Sequence, residues 1–149
     1  NYKDQVYTYT RDLIHSLKEQ NYVLIAISGS IQEVVDKLGD YYGFDYVVGT
    51  QYTRDGDAYT GEQFVPIITG KDIVLKDLVE KNNLTWEGSL AIGDTASDIP
   101  MLELVERPIA FNPNQELYSH AHNKGWNIVV ERKNMVYELK HDGTAYILA

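Results

Sequence analysis

No cysteine occurs among the 149 residues, which excludes disulfides, thiolate metal sites and cysteine nucleophiles and fits a cytoplasmic setting. Basic residues are scarce: 13 Lys and Arg stand against 22 Asp and Glu, a formal net charge of −9. Nucleic-acid surfaces need clustered Lys and Arg to neutralise phosphates, so no nucleic-acid partner is expected. No apolar run approaches the roughly 20 residues of a membrane span, and no signal peptide is visible, so no membrane partner is expected either. The chain begins at Asn1 rather than methionine, which reads as a native N-terminus lost by truncation or processing. The 4 prolines are scattered, and no repeat, linker or low-complexity segment interrupts a chain with 44% hydrophobic content. One domain with a real core is the expectation.

What the chain does have is an alternation of helical and strand patterns. Tyr7 to Gln20 carries Leu13, Ile14 and Leu17 at helical spacing, and Tyr22 to Ile27 is a nearly continuous apolar run of strand length. Ser30-Ile31-Gln32-Glu33 reads as a capping box opening a helix that buries Val34, Val35 and Leu38 before Gly39 or Gly43 ends it. Phe44 to Gly49 reads as a strand, and Gln51 to Gln63 as a hairpin turning at Asp55-Gly56-Asp57. Lys71 to Lys81 is amphipathic, with Ile73, Val74, Leu78 and Val79 toward a core, and Asn82-Asn83 stop it. Later come a strand at Leu90 to Gly93, a short helix from Asp98 to Leu104, and a strand at Pro108 to Phe111. A second capping box follows at Asn112-Pro113-Asn114-Gln115, with Gly125 as the stop, then a strand from Trp126 to Glu131 and a terminal hairpin around His141-Asp142-Gly143. Such alternation predicts an α/β fold: a Rossmann-like, doubly wound, mostly parallel sheet with helices on both faces, plus a hairpin excursion.

The chemistry concentrates at loop edges. In Ser89 to Asp98 a short apolar run stops at Gly93, and two carboxylates four positions apart, Asp94 and Asp98, follow it. Open α/β sheets put their ligands at the carboxyl edge of the strands. Hard oxygen donors beside a glycine turn suit Mg2+, which binds through one or two carboxylates and keeps waters and substrate phosphate as its other ligands. The plainer alternative is that Asp94 belongs to an ordinary turn and Asp98 is a helix N-cap before Ile99-Pro100. Ser28-Gly29 after the first strand and Lys71 at a helix start complete the set, and in a doubly wound sheet all three features would meet at one edge. A hydroxyl, a backbone N–H, an ammonium and a metal-binding carboxylate pair make a site for a phosphate dianion. With Ser30 assigned to the capping box, Ser28 is left for the ligand.

These residues resemble motifs two, three and four of the haloacid dehalogenase (HAD) superfamily of phosphatases, in the branch similar to phosphoserine phosphatase. Ile25-Ala26-Ile27-Ser28-Gly29-Ser30 resembles the second motif, which implies that Ser28 and Gly29 bind phosphoryl oxygens. Gly70-Lys71-Asp72 resembles the third, which implies that Lys71 offsets charge on phosphate and nucleophile. Gly93 to Leu102 resembles the fourth, which implies that Asp94 ligates Mg2+ and Asp98 orients the metal shell. Phe111-Asn112-Pro113 followed by Gly125-Trp126 resembles the stretch after motif four, and Ser97 stands where many relatives carry Asn.

One departure is large. The resemblance implies an Asp-x-Asp strand and an inserted cap ahead of Ser28, and neither is present; Asp55-Gly56-Asp57 sits at an expected hairpin turn and reads as a decoy. Residues 1–149 are therefore expected to be a partial core domain lacking the nucleophile strand and cap. Two partners follow: a missing N-terminal segment of the same protein, and a small phosphorylated metabolite. The family's central strand would lie between those ending at Ser28 and Gly93, and the terminal strand Thr144 to Ala149 is one candidate to fill the gap. The implied function is a Mg2+-dependent phosphomonoesterase working through an aspartyl-phosphate, with this chain inactive alone. The alternatives are a non-catalytic α/β binding module, or another HAD phosphotransferase. His15, His120, His122 and His141 share no spacing that suggests a metal site.

Overall fold

Helix α1 (Thr8–Glu19) forms where Leu13, Ile14 and Leu17 recur at helical spacing, and Leu17 is its buried anchor. It opens a computed structural model of the chain that describes residues 7–65, 70–132 and 135–149. The immediate surroundings of Asn1, where the end of a cap was expected, lie outside the described residues. The chain divides into two units, Asn1–Gly70 and Lys71–Ala149.

In the first unit, strand β1 (Ile25–Ile31) leads through helix α2 (Gln32–Tyr42) to strand β2 (Tyr46–Asp55), which turns back as strand β3 (Ala58–Val65). The sheet order is β1-β2-β3. β1 and β2 are parallel, and β2 and β3 antiparallel, with Asp55 opposite Ala58 across Gly56-Asp57. This is the expected hairpin, its turn carried by Gly56 at φ 60°.

Two expectations fail here. β1 does not end at Ser28 but runs on to Ile31, so Ser30 is not an N-cap; Ile31 takes that position and supplies no side-chain cap. On α2 the buried residues are Val35 and Gly39, whereas Val34 and Leu38 are 46% and 48% exposed. Moving the helix start past Ser30 does not change side-chain spacing; periodicity marks an apolar side of a helix without deciding which edge of it the sheet covers.

The second unit runs through helix α3 (Lys71–Lys81), strand β4 (Leu90–Gly93), a 3-10 turn at Ala96–Asp98, helix α4 (Ile99–Leu102), strand β5 (Arg107–Phe111), helix α5 (Gln115–Lys124) and strands β6 (Asn127–Arg132), β7 (Met135–His141) and β8 (Tyr146–Leu148). β4, β5 and β6 are parallel and the β6–β7 and β7–β8 pairs antiparallel, in the order β4-β5-β6-β7-β8. The core is Leu102, Ala110, Leu117, Ala121 and Ile128, all fully buried, with Ala91, Ile99, Trp126, Val130, Leu139 and Tyr146 packed against it. Burying a leucine side chain this completely contributes about 1.5–3 kcal/mol, so α4 and α5 are held to the sheet chiefly by Leu102 and Leu117. The Tyr146 hydroxyl lies 2.9 Å from the carbonyls of both Ala121 and Trp126 and shares its one proton between them, stapling the terminal hairpin to the end of α5.

α3 has its expected bounds, yet its buried residues are Leu75 and Val79, and Ile73 is 68% exposed. The second capping box is shifted too. Asn114, not Asn112, caps α5, accepting from the Leu117 N–H at 2.9 Å, so Pro113 precedes the cap. Asn112 instead turns left-handed at φ 42° and accepts the Glu131 N–H on its Oδ1, tying β5 to β6. The terminal strand pairs with β7 at the far edge of the sheet, so it does not fill the place beside β4. Among the described residues, β1 pairs with β2 alone and β4 with β5 alone.

Candidate active site

Each unit carries part of the expected residue set, and each part has its own geometry. In the first unit Ser28-Gly29-Ser30 forms a bulge. Ile27 is opposite Val48 and the next partner of β1 is Ile31 opposite Thr50, so three residues face the single Gly49. Bulges of this kind re-aim side chains beside active sites. Gly49 permits it: a Cβ there would lie 2.8 Å from the Gln32 Cα and 2.9 Å from the Ser30 carbonyl oxygen. The Gln32 Oε1 accepts the Gly49 N–H at 2.6 Å and fixes that close approach. Ser28 is half-buried, and its Oγ accepts the Ser30 N–H at 3.1 Å. Ser28 is thus engaged locally by Ser30, the residue expected to spare it.

In the second unit Lys71 and Asp98 are brought together. The Lys71 Nζ donates to the Asp98 Oδ1 at 2.5 Å, with the two side chains only 13% and 4% exposed. A lysine in the first turn of α3 is opposed by the helix dipole, so the carboxylate supplies what the helix does not. The other Asp98 oxygen, Oδ2, accepts the N–H of Asp94 at 3.1 Å, the N–H of Thr95 at 3.1 Å and the Thr95 hydroxyl at 3.2 Å. Asp98 therefore turns back into the loop, and its side chain makes no cap bond to α4. Burial pushes its carboxyl up, but the Lys71 hydrogen bond and charge, with the Thr95 and Asp94 N–H donors, outweigh burial and hold it below the usual carboxylate range.

The path of Asp98 explains Gly93. A Cβ on Gly93 would stand 2.5 Å from the Asp98 Cβ and 2.9 Å from its Cγ, so only glycine ends β4 with Asp98 lying across it. Asp94 follows at the carboxyl end of the strand. Its backbone is held on both sides, the N–H by Asp98 and the C=O by the Asn114 N–H at 2.9 Å. Its carboxylate is exposed and has no hydrogen-bond or ion-pair partner among the described residues. Ser97, also exposed, pairs its hydroxyl with that of Thr95 at 2.9 Å.

This donor set fits Mg2+ in one respect and limits it in another. A single free carboxylate at the sheet edge is enough protein for an ion that keeps its waters and takes substrate phosphate. Both Asp98 oxygens are already engaged by protein donors, so its place is behind Asp94. Among the described residues no group of three or more His, Cys, Asp or Glu is placed to hold a metal unaided. His120 sits 3.1 Å from Glu103, and His122 stacks on Tyr146, in line with structural roles. Asp55 and Asp57 are exposed at the β2–β3 turn, where the hairpin was expected to turn. No helix among the described residues is long and apolar enough to cross a membrane.

Thr50 is the residue that sequence reasoning passed over. It is 1% exposed, and its Oγ1 donates to the Gly29 carbonyl at 2.9 Å. Its only signal in the sequence is position, a small polar residue after glycine at the end of an apolar strand.

The family model of the haloacid dehalogenase-like hydrolases matches residues 2–103. The chain belongs to the haloacid dehalogenase-like hydrolase family. It is 32% identical over 77% of its length to the "Inhibition of morphological differentiation protein" of Streptomyces azureus, covering 42% of that protein. It is 30% identical over 72% of its length to a phosphoserine phosphatase of Archaeoglobus fulgidus, covering 32% of it. The chain thus spans less than half the length of these curated relatives. Among solved structures, a phospho-aspartyl intermediate analogue of phosphoserine phosphatase superposes with a TM-score of 0.68 at 26% identity, covering 83% of this chain and 57% of that one. The mixed α/β fold of this HAD-like chain and its place in the phosphoserine phosphatase-like branch agree with the resemblance carried by Ser28, Lys71 and Asp94.

Proposed function

We propose that this chain provides the phosphate-binding and metal-binding part of a Mg2+-dependent phosphomonoesterase that works through an aspartyl-phosphate. The observation that carries the reading is the preformed Lys71–Asp98 pair with the free Asp94 carboxylate beside it. In this reading Asp94 ligates the metal, and Asp98 holds the Asp94 peptide and the Lys71 ammonium in place. Lys71 lowers the charge of a bound phosphate, while Ser28 and the Gly29 N–H donate to phosphoryl oxygens. Mg2+, when bound, supplies positive charge against the oxygens of the transferred phosphoryl group. The substrate is a small phosphorylated metabolite. The attacking aspartate and the acid that protonates the leaving group belong to a segment outside residues 1–149, so the chain alone does not turn over substrate.

The test is an assay on p-nitrophenyl phosphate with and without Mg2+, using this chain and a longer protein carrying an Asp-x-Asp strand ahead of it. Turnover is expected only from the longer protein. Turnover by residues 1–149 alone would refute the assignment of the nucleophile to another segment. Phosphate binding that requires Mg2+ and is lost in Asp94→Asn supports the enzyme reading; absence of Mg2+ and phosphate binding by the longer protein leaves the chain a non-catalytic module.

A further inference from the structure

We propose that Thr50 is a positioning residue that sets the direction in which the Ser28 hydroxyl donates; this rests on the reading of Ser28 as a phosphate ligand. The carbonyl and N–H of one peptide unit point in opposite directions because the unit is planar and trans. Thr50 Oγ1 holds the Gly29 carbonyl at 2.9 Å, and the same peptide's N–H, that of Ser30, is donated to the Ser28 Oγ at 3.1 Å. Thr50 therefore fixes, through one rigid peptide, the donor that occupies a lone pair of Ser28. A serine hydroxyl has one proton and two acceptor sites. With one acceptor site filled by Ser30, the proton is the part of Ser28 left to meet a phosphoryl oxygen, which only accepts. The N–H arriving at Oγ also polarises the hydroxyl as a donor.

Thr50 is itself held firmly. It stands opposite Ile31 in the β1–β2 register and is 1% exposed, so water does not replace its hydroxyl. The preceding residue, Gly49, is locked by Gln32, whose amide also donates to the Val47 carbonyl at 3.3 Å and to the Asp36 carboxylate at 2.6 Å. The bulge is thus anchored from β2, and the Thr50 hydroxyl is its link to the Gly29–Ser30 peptide.

The experiment compares wild type, Thr50→Val, Thr50→Ser, Ser28→Ala and the Ser28→Ala/Thr50→Val double variant. Amide hydrogen exchange at Ser30 is followed by NMR, and binding of inorganic phosphate with Mg2+ by calorimetry. In Thr50→Val, Ser30 exchange is expected to speed up about tenfold and phosphate to bind about fivefold to tenfold more weakly, the size of one hydrogen bond. Thr50→Ser restores both, and the double variant binds no more weakly than Ser28→Ala, because the two residues act as one unit. Thr50→Ala carries the same expectations should the valine variant not fold. Unchanged Ser30 exchange in Thr50→Val, or additive losses in the double variant, overturn the proposal while Ser28 keeps its role. Phosphate binding that is unaffected in Ser28→Ala, or absent in the wild type, overturns the reading of Ser28 and the Thr50 proposal with it.

Discussion

Replacing Lys71 by methionine removes the ammonium while keeping a side chain of similar length, and it isolates what the pair contributes to the fold. Breaking a buried ion pair by deleting one partner costs about 3–5 kcal/mol, because a charge is left without compensation. Here the Asp98 carboxylate keeps three donors from Asp94 and Thr95, which reduces the expected loss to about 2–3 kcal/mol at neutral pH. The loss depends on pH. In the wild type the Asp98 carboxyl is held below its ordinary value, so its contribution is present above the unfolded-state pKa and is lost as pH falls through the folded one. Without Lys71 the ammonium's hydrogen bond and charge no longer hold the carboxyl down, so its folded-state pKa rises relative to wild type and the variant's penalty is largest at neutral pH and falls away as Asp98 is protonated. Urea unfolding followed by tryptophan fluorescence reports on this unit, since both tryptophans, Trp86 and Trp126, lie in it. Measurements at about pH 7.5 and about pH 3.5 avoid the low solubility expected where net charge vanishes, near the pI of 4.8. The gap between wild type and variant should be smaller at the lower pH, and it closes only as pH falls through the lowered folded-state pKa of wild-type Asp98. A gap that is the same at both, or below about 0.5 kcal/mol at neutral pH, would show that Lys71 and Asp98 are not the coupled buried pair described.

Two further outcomes follow from the same turns. Gly93→Ala forces the new methyl against Asp98, with contacts of 2.5 Å and 2.9 Å that real side chains do not tolerate; a loss of about 1–3 kcal/mol in urea unfolding is expected, and Mg2+-dependent phosphate binding should weaken with it. In the terminal hairpin, Asp142 accepts the Thr144 and Ala145 N–H groups and the Thr144 hydroxyl, and its carboxyl is lowered to about 2, chiefly by the Ala145 N–H. The turn should keep its amide protection above about pH 4 and lose it as pH falls through about 2; protection of Thr144 and Ala145 by NMR hydrogen exchange, unchanged at the acid end, would contradict this.

Much of the second unit was readable because local signals and tertiary demands agree. The Lys71 to Lys81 helix has an apolar stripe and an Asn-Asn stop, with Asn83 left-handed at φ 51°, and Gly125 ends α5 at φ 68°. The two capping failures have one physical form. Ser30 and Asn112 both carry cap-forming side chains and cap nothing, because β1 bulges through Ser30 and Asn112 is drawn to the Glu131 N–H across the sheet. A side chain offered two backbone partners takes the one that the fold brings near, and sequence spacing registers only the local one. The carboxylate pair was legible as a pair from its spacing. Spacing alone does not tell the two apart, and their different roles were expected only from the family resemblance; what distinguishes them physically is their surroundings, one 3% exposed among four donors and the other open to solvent.

The two-sided hold on residue 94 has an entropic consequence. Fixing the backbone of one residue costs about 1–2 kcal/mol of conformational entropy, and for Asp94 that cost is met at folding by the Asp98 carboxylate on its N–H and the Asn114 N–H on its C=O. A ligand arriving at the carboxylate has only the side-chain torsions left to order, about 0.5–1.5 kcal/mol. The root of Asp94 is rigid and its head free, so under the proposed reading a metal ion would be met by rotation of one side chain, with β4 and α5 left where they are.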